Sequence, residues 1–343
     1  MKLCYRLLLC SLMLGYGSYS LAQVDIHVLE TETSRMELTP DIGGRVLFFG
    51  LKGKENFLKV SDEVQRQPNP EVTATAENIG YFGHENWVGP QSAWWQHQTL
   101  NEQRKAAKAV WPADPWLILA TNEVLESSPQ KMVLQSPHSP ISGVQMRKTY
   151  SLDQPDSVQL DVEAKNIREE NVAWDLWFNT RVEQNTTVYV PVAFKSDVRE
   201  EYFTKDDSAP YKLSSEDNML VLDLPRLASS EKIARGKLFI QPSEGWMAGF
   251  RDEQVFIIRF PVQPLKNIHP EQGQVELYYD YHPNKKVAGM IEMELHGMYR
   301  TLAPGETMAA TEHWTILPYT GDDSDAARVK FLRKYLESIY QLE

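Results

Sequence analysis

Short β-forming runs separated by turn residues recur along almost the whole chain, and this rhythm limits the possible folds more than any other feature. Val24 to Leu29, Ser34 to Leu38 and Arg45 to Phe49 open the series, the last entered through Pro40 and Gly43-Gly44. Trp116 to Ala120, Lys131 to Gln135, Val144 to Tyr150, Val158 to Ala164, Val172 to Phe178 and Thr187 to Val192 continue it. Met219 to Leu224, Lys237 to Ile240, Trp246 to Phe250, Gln254 to Phe260, Val275 to Tyr281, Gly289 to Leu295 and Thr307 to Ile316 complete it. Many strands at regular turn spacing indicate an all-β sandwich rather than βαβ units. One short C-terminal helix stands apart. Ala326, Val329, Leu332, Tyr335, Leu336 and Ile339 recur at helical spacing behind Asp322-Asp323-Ser324-Asp325, whose carboxylates suit a helix N-terminus. That acidic cluster lacks the further ligands a calcium loop needs. Asp62 to Gly80 and Arg199 to Ser215 read as loops, the kind of excursion that often carries binding residues on a β scaffold. No repeat or linker demands a boundary, so residues 23–343 are expected to form one domain.

The first 22 residues read as a signal peptide. Lys2 and Arg6 give a positive start, Leu7 to Leu14 an apolar run too short for a permanent anchor, and Ser20-Leu21-Ala22 a cleavage site. The expectation is an exported protein, periplasmic or secreted, with no membrane anchor after cleavage. Both cysteines, Cys4 and Cys10, fall inside the leader, so the mature chain has no disulfide, thiolate metal site or cysteine nucleophile. The formal charge of −12 becomes about −14 when Lys2 and Arg6 leave, because no acidic residue leaves with them. An acidic chain is a poor partner for nucleic acid, whose binding depends on neutralising phosphates. A neutral ligand suits it better.

The segment richest in chemistry runs from Gly83 to Gln96, where Trp87, Trp94 and Trp95 stand beside His84, Glu85, Asn86 and Gln91. Trp111 to Trp116 and Trp174 to Thr180 repeat the mixture. Sugars have apolar CH faces and polar rims, and aromatic platforms edged by amides and carboxylates satisfy both. A single strand tryptophan more often fills a core. Gly83, Gly89 and Pro90, however, suggest irregular backbone in the first segment, where polar neighbours would be costly to bury unpaired.

Several runs then resemble the aldose 1-epimerases of the galactose mutarotase superfamily. Met36 to Val46 is similar to their opening strand and Gly-Gly-Arg turn, and Leu160 to Asn166 to their strand ending in Asn. Ile291 to Gly297, Leu302 to Glu306 and Glu312-His313-Trp314 resemble their closing strands. Gly83 to Gln91 and Trp111 to Pro115 look closer still to a poorly characterised branch of that superfamily, a domain family of unknown function. The resemblance implies a galactose mutarotase-like β-supersandwich whose concave face holds a sugar.

In that superfamily a histidine on the central strand is the acid and a late glutamate the base for opening and reclosing a hemiacetal. The matching strand here reads Leu176-Trp177-Phe178-Asn179-Thr180, so Asn179 and Thr180 stand where the histidine is expected, and neither titrates as an acid near neutral pH. His84 is the candidate replacement, with Glu292 as the tentative base among Glu276, Glu292, Glu294 and Glu312. Arg45, Glu85, Trp87, Gln91, Trp94, Trp95, Trp177, Asn179 and Glu276 are the candidate sugar-binding residues. Glu294 reads as a solvent-facing charge, and Arg45 equally as a structural tie. No phosphate loop, Gly-x-Ser-x-Gly elbow or His-Glu-x-x-His helix occurs, so no cofactor is expected; His269, His282, His296 and His313 are scattered, and no metal is expected either. Three functions remain open: a carbohydrate-recognising protein, an aldose epimerase using His84 and a strand glutamate, or a structural domain that has lost its site.

Overall fold

A computed structural model describes residues 23–340 apart from residue 155 and segments 205–209, 215–216, 229–230 and 286–287. The expected signal peptide lies outside the described residues. Two ten-stranded antiparallel sheets form the molecule. The front sheet runs His27–Glu30, Ser34–Thr39, Arg45–Leu51, His84–Gly89, Val172–Glu183, Met290–His296, Val275–Tyr281, Ala234–Ile240 and Val198–Tyr202, with Arg300–Leu302 paired to the end of Val172–Glu183. The back sheet runs Tyr211–Ser214, Met219–Leu222, Thr187–Pro191, Trp246–Arg251, Gln254–Arg259, Thr307–Pro318, Ser157–Asn166, Val144–Gln154, Lys131–Gln135 and Glu123–Ser128. This is the all-β sandwich that the strand rhythm implied, in the galactose mutarotase-like form that the resemblance implied.

Strand alternation assigns the layers. Inward side chains of both sheets interdigitate: Phe49, Phe256 and Trp314 pack with ring centroids 4.9–5.3 Å apart, the first from the front sheet and the others from the back. The outer face of the back sheet carries Tyr189, Trp246, Phe250, Val255 and Ile257. The C-terminal helix Asp325–Tyr340 covers them with Val329, Leu332 and Leu336, which is why its apolar stripe repeats as it does. Asp325 at its start accepts from Tyr189 Oη at 2.7 Å and Arg226 Nη2 at 3.0 Å, so the acidic cluster anchors the helix. Among the described residues, no helix is long and apolar enough to cross a membrane.

Three sequence expectations are corrected. Trp116 to Ala120 is not a strand: Asp114 Oδ1 caps a helical turn, Pro115–Ile118, by accepting from Trp116 N at 3.0 Å. The Arg199 to Ser215 stretch contributes two edge strands, Val198–Tyr202 and Tyr211–Ser214. Most consequentially, His84–Gly89 is a fully buried strand in the middle of the front sheet rather than an irregular loop. The misleading signal was its flanking glycines, which serve the strand's entry and exit. Gly83 holds φ +69, and a Cβ there would lie 2.3 Å from Val46 O. Gly83→Ala is therefore expected to cost at least about 1–2 kcal/mol from the left-handed backbone alone, with the clash added. A urea unfolding curve coincident with wild type would contradict this account of the strand's entry.

Candidate functional site

The outer face of the front sheet is the face the helix leaves uncovered. Cross-strand register sorts its residues into rows. Glu85, Asn179, Glu294, Glu276, Phe239 and Arg199 stand side by side on six successive strands. Arg181, Glu292, Tyr278, Lys237 and Glu201 form the next row, and Trp87, Trp177 and His296 the row on the other side. The connection 90–122 folds over one end of this face, while the loop carrying Pro270, Glu271 and Gln272 borders another side. Between them lies a cavity of about 550 Å³, lined by Gln91, Trp177, Lys237, Phe239, Gln272 and Glu276 among others.

Charge pairing determines what this floor can be. Glu276 and Glu294 are directly opposed across two strands, an arrangement that repels when both are ionised. Lys237 resolves it, with Nζ 2.5 Å from Glu276 and 2.7 Å from Glu294. Burial works against the ammonium, yet the two glutamates raise its pKa overall. The carboxyls respond differently. Burial also opposes ionisation of Glu276, but Lys237 and His296 outweigh it and hold the group well below the usual carboxylate range. Glu294 is driven upward, by burial first and then by Glu292 and Glu276, with Lys237 opposing. Lys237, with its Nζ also 4.7 Å from the centre of the Trp177 ring, is the fixed cation of the floor.

His296 is the second cation. Its Nδ1 is 3.0 Å from Asp175 Oδ1 and its Nε2 is 3.4 Å from Glu276 Oε1. Burial lowers the imidazole pKa, but Glu276 and Asp175 reverse this and lift it to about 9. A protonated Nδ1 donates to Asp175 and cannot accept from Gln272 Nε2, 2.9 Å away. The amide oxygen of Gln272, which has no other hydrogen-bond partner, suits that place better. Gly89 permits this crowding, since a Cβ there would lie 2.3 Å from Gln272 Nε2 and 2.8 Å from Asp175 Oδ1. Glu276, Glu294 and His296 have the donor types and proximity for a metal, with ligand atoms within 4.8 Å of one another, but an ion there would compete with the Lys237 ammonium.

A separate ladder crosses the face beside the cavity: Arg45 to Glu85, Glu85 to Arg181 at 2.6 Å, and Arg181 to Glu292 at 2.7 Å. Burial would raise the Glu85 pKa, but the two arginines hold it down at about 2. Arg45 also donates to the carbonyls of Phe82 and Ile118, so it ties the sheet to its cover.

Of the sequence candidates, the structure brings Gln91, Trp177 and Glu276 to the cavity wall. Asn179 stands on the same face and donates to Glu294 Oε1 at 3.1 Å. Trp87, Trp94, Trp177 and the half-exposed Trp111 converge as one cluster with centroids 4.8–6.2 Å apart. Trp95 is elsewhere, buried beneath Arg104 and donating to Pro112 O at 2.8 Å. Glu292 is engaged by Arg181, and Glu294 is fully buried rather than solvent-facing. Glu312 lies on the back sheet and donates no group to this face; burial lifts its carboxyl to about 8, and it accepts from Trp314 Nε1 at 2.7 Å. His84, expected as the acid of the cleft, points inward instead. Its ring meets Trp314 edge-on at 4.8 Å and its Nδ1 is 2.8 Å from Thr180 Oγ1. Burial first, and then the Lys148 and Arg45 charges, push its pKa well below 6.5, so it is neutral. Alternation is the reason: once the segment is a strand, His84 and Asn86 face one way and Glu85 and Trp87 the other.

Sequence reasoning missed Lys237, Phe239, Gln272, Asp175 and His296 as site residues. Lys237 and Phe239 alternate on a strand next to Glu276 and Tyr278, and that pairing of two alternating polar-aromatic strands was the available signal.

Two outcomes follow. Lys237→Met leaves Glu276 and Glu294 opposed without their cation and is expected to cost about 3–5 kcal/mol, much of it recovered by adding Glu276→Gln and Glu294→Gln. Equilibrium unfolding of the single and triple variants measures it. The His296 pKa is raised on folding, so its contribution is fully present below pH 6.5 and disappears as pH rises through about 9. The stability gap between wild type and His296→Gln should narrow across that window, and the ring's NMR titration should centre near 9.

Comparison with known proteins now adds context. The description of a domain of unknown function, DUF4380, matches residues 24–317. No curated protein matches by sequence. Among solved structures, the Slr1438 protein of Synechocystis superposes with TM-score 0.56 at 13% identity, covering 88% of this chain and 98% of that one. A galactose mutarotase-like protein of Lactobacillus casei gives 0.53 at 10% identity, over 85% and 100% of the chains. An aldose epimerase homologue from Caenorhabditis elegans gives 0.50 at 11% identity, over 87% and 100%. At these identities the likeness is one of fold.

Proposed function

The chain belongs to the DUF4380 family of domains of unknown function, and from that premise we propose that it is an exported carbohydrate-recognising protein that seats a sugar on the outer face of its front sheet. Export rests on the leader-like first 22 residues. One observation carries the ligand class: the cavity sets the 53% exposed Phe203 ring and Phe239 among amide, carboxylate, guanidinium and ammonium groups, with the buried Trp177 indole, whose Nε1 has no hydrogen-bond partner, in its wall. An open aromatic ring beside hydroxyl-matching donors and acceptors suits a pyranose, whose CH face covers the Phe203 ring while its hydroxyls meet the polar walls. Asp175 Oδ2 and Asn179 Oδ1 are buried on the same face, likewise without partners.

A second reading, an epimerase or mutarotase, draws on His296 rather than His84. An imidazolium held between two carboxylates is a proton donor of the kind needed at a ring oxygen. Glu294, whose carboxyl is driven upward and so favours its proton, is not the base of this reading, which leaves Glu276 as the ionised carboxylate of the pair to take the anomeric proton.

Phe203→Ala is expected to weaken sugar binding by at least about tenfold, or ~1.4 kcal/mol, in calorimetric titration. Affinity equal to wild type would remove the platform from the argument. Anomer interconversion followed by NMR separates the two readings. A rate above buffer that is lost in His296→Gln identifies an enzyme, and no rate above buffer across common aldoses leaves the binding protein alone.

A further inference from the structure

Resting on that reading of the cavity, we infer that its ligand is an acidic sugar, whose carboxylate or sulfate is taken by Arg199 while a ring lies on Phe203.

The inference starts from where hydrogen-bond donors are left over. Lys237, the cation of the floor, has a buried carboxylate on each side, Glu276 and Glu294. Arg199 is placed differently. It stands on the edge strand of the front sheet, beside Phe239 at the outer end of the row that contains Glu276, and it lines the same cavity. Its guanidinium carbon lies 3.5 Å from the centre of the Phe239 ring, so stacking holds the group in place. A guanidinium carries five N–H donors. One on Nη1 goes to Glu201 and one on Nη2 to the Glu271 carbonyl. The others have no acceptor among the described residues, and the side chain is 44% exposed.

An anion can therefore reach Arg199 without breaking a buried pair. Its carboxylate partner, Glu201, is itself 48% exposed, and exposed pairs of this kind contribute little. Glu201 also stands directly opposite Lys237, so it keeps a cation as its cross-strand neighbour if it turns away from Arg199. The free donors suit a group that brings several acceptor oxygens together with negative charge. Bonds from a guanidinium to a carboxylate or sulfate are stronger than bonds to a hydroxyl, and its planar fork donates to two oxygens at once.

The sugar ring is placed by the same strand. Alternation carries Arg199, Glu201 and Phe203 on one face, and Phe203 N continues the ladder by donating to Arg235 O at 2.9 Å. Phe203 lines the cavity and is open to solvent, so an accessible aromatic ring and an accessible guanidinium share one wall. The other carboxylates of that wall, Glu201 and Glu271, are exposed to water, where their repulsion of an anion is weakest. The chain's charge of −12 by itself suits a neutral ligand. Charges beyond about 8–10 Å are largely screened at physiological salt, however, so the arginine on the wall decides.

The test uses the purified protein and an array of matched glycans: neutral gluco-, galacto- and mannosides, their uronate counterparts and their sulfated counterparts. Hits are titrated calorimetrically against wild type, Arg199→Gln, Arg199→Lys and Glu201→Gln. All three changes fall at exposed side chains and should not impair folding. The expected result is an anionic hit bound at least about tenfold more tightly than its neutral counterpart. Arg199→Gln should bring the two to equal affinity, Arg199→Lys should keep part of the difference, and Glu201→Gln should enlarge it. A lead for uronates or for sulfated glycans supports the inference and names the anion. Neutral glycans bound as tightly as both anionic sets overturn the acidic class while the sugar-binding reading stands. An anionic preference that survives Arg199→Gln overturns the assignment to Arg199. No binding to any glycan overturns the inference together with the reading beneath it.

Discussion

Two carboxyl groups placed directly opposite one another on neighbouring strands, Glu276 and Glu294, set the condition the rest of the front sheet has to meet. Fully buried like charges at cross-strand distance cannot both remain ionised without a cation. The fold meets this condition through Lys237, one strand further along, and through the proton favoured on Glu294. His296 and Asp175 extend the same pattern, and Arg45, Glu85, Arg181 and Glu292 repeat it on a parallel course. The outer face is therefore buried and polar at once. Apolar residues of similar volume would pack at lower cost, and this is what makes the surface support the proposed ligand site.

Layering decides where that surface can be. The C-terminal helix covers the outer face of the back sheet, and the outer face of the front sheet is left open to form the hollow. The connection 90–122 supplies one wall and delivers Trp94 and Trp111 to indoles already standing on the sheet. Buried indole NH groups without partners, at Trp87 and Trp177, remain within this assembly. The site is thus a product of both rigid strands and a long excursion, the combination in which a scaffold fixes orientation and loops set shape.

The β class, the terminal helix and the bounds of many strands were legible because each depends on a local pattern. Lys131–Gln135 and Val275–Tyr281 were read to the residue, and the helix followed from its apolar spacing behind an acidic start. Pro115–Ile118 is a helical turn because Asp114 caps it with proline at its first position, a signal that overrides the β-forming residues behind it. His84–Gly89 was misread because glycines at its ends suggested a loop, when they served the tight entry and the close approach of Asp175 and Gln272. That single error turned His84 from a buried, neutral inner residue into a cleft acid.

By itself, then, the chain determined which segments extend, which one coils, and that aromatic and polar residues mingle in three places. Periodicity and turn chemistry act between residues close in sequence, and a sequence displays them directly. The tertiary structure alone decided that Trp177, Lys237, Glu276 and Gln272 share one hollow while Trp95 and His84 do not. Strand order brings Ala234–Ile240, Val275–Tyr281 and Val172–Glu183 into one sheet across gaps of tens of residues. Register then selects the facing side chains, and a one-residue shift would reverse them all.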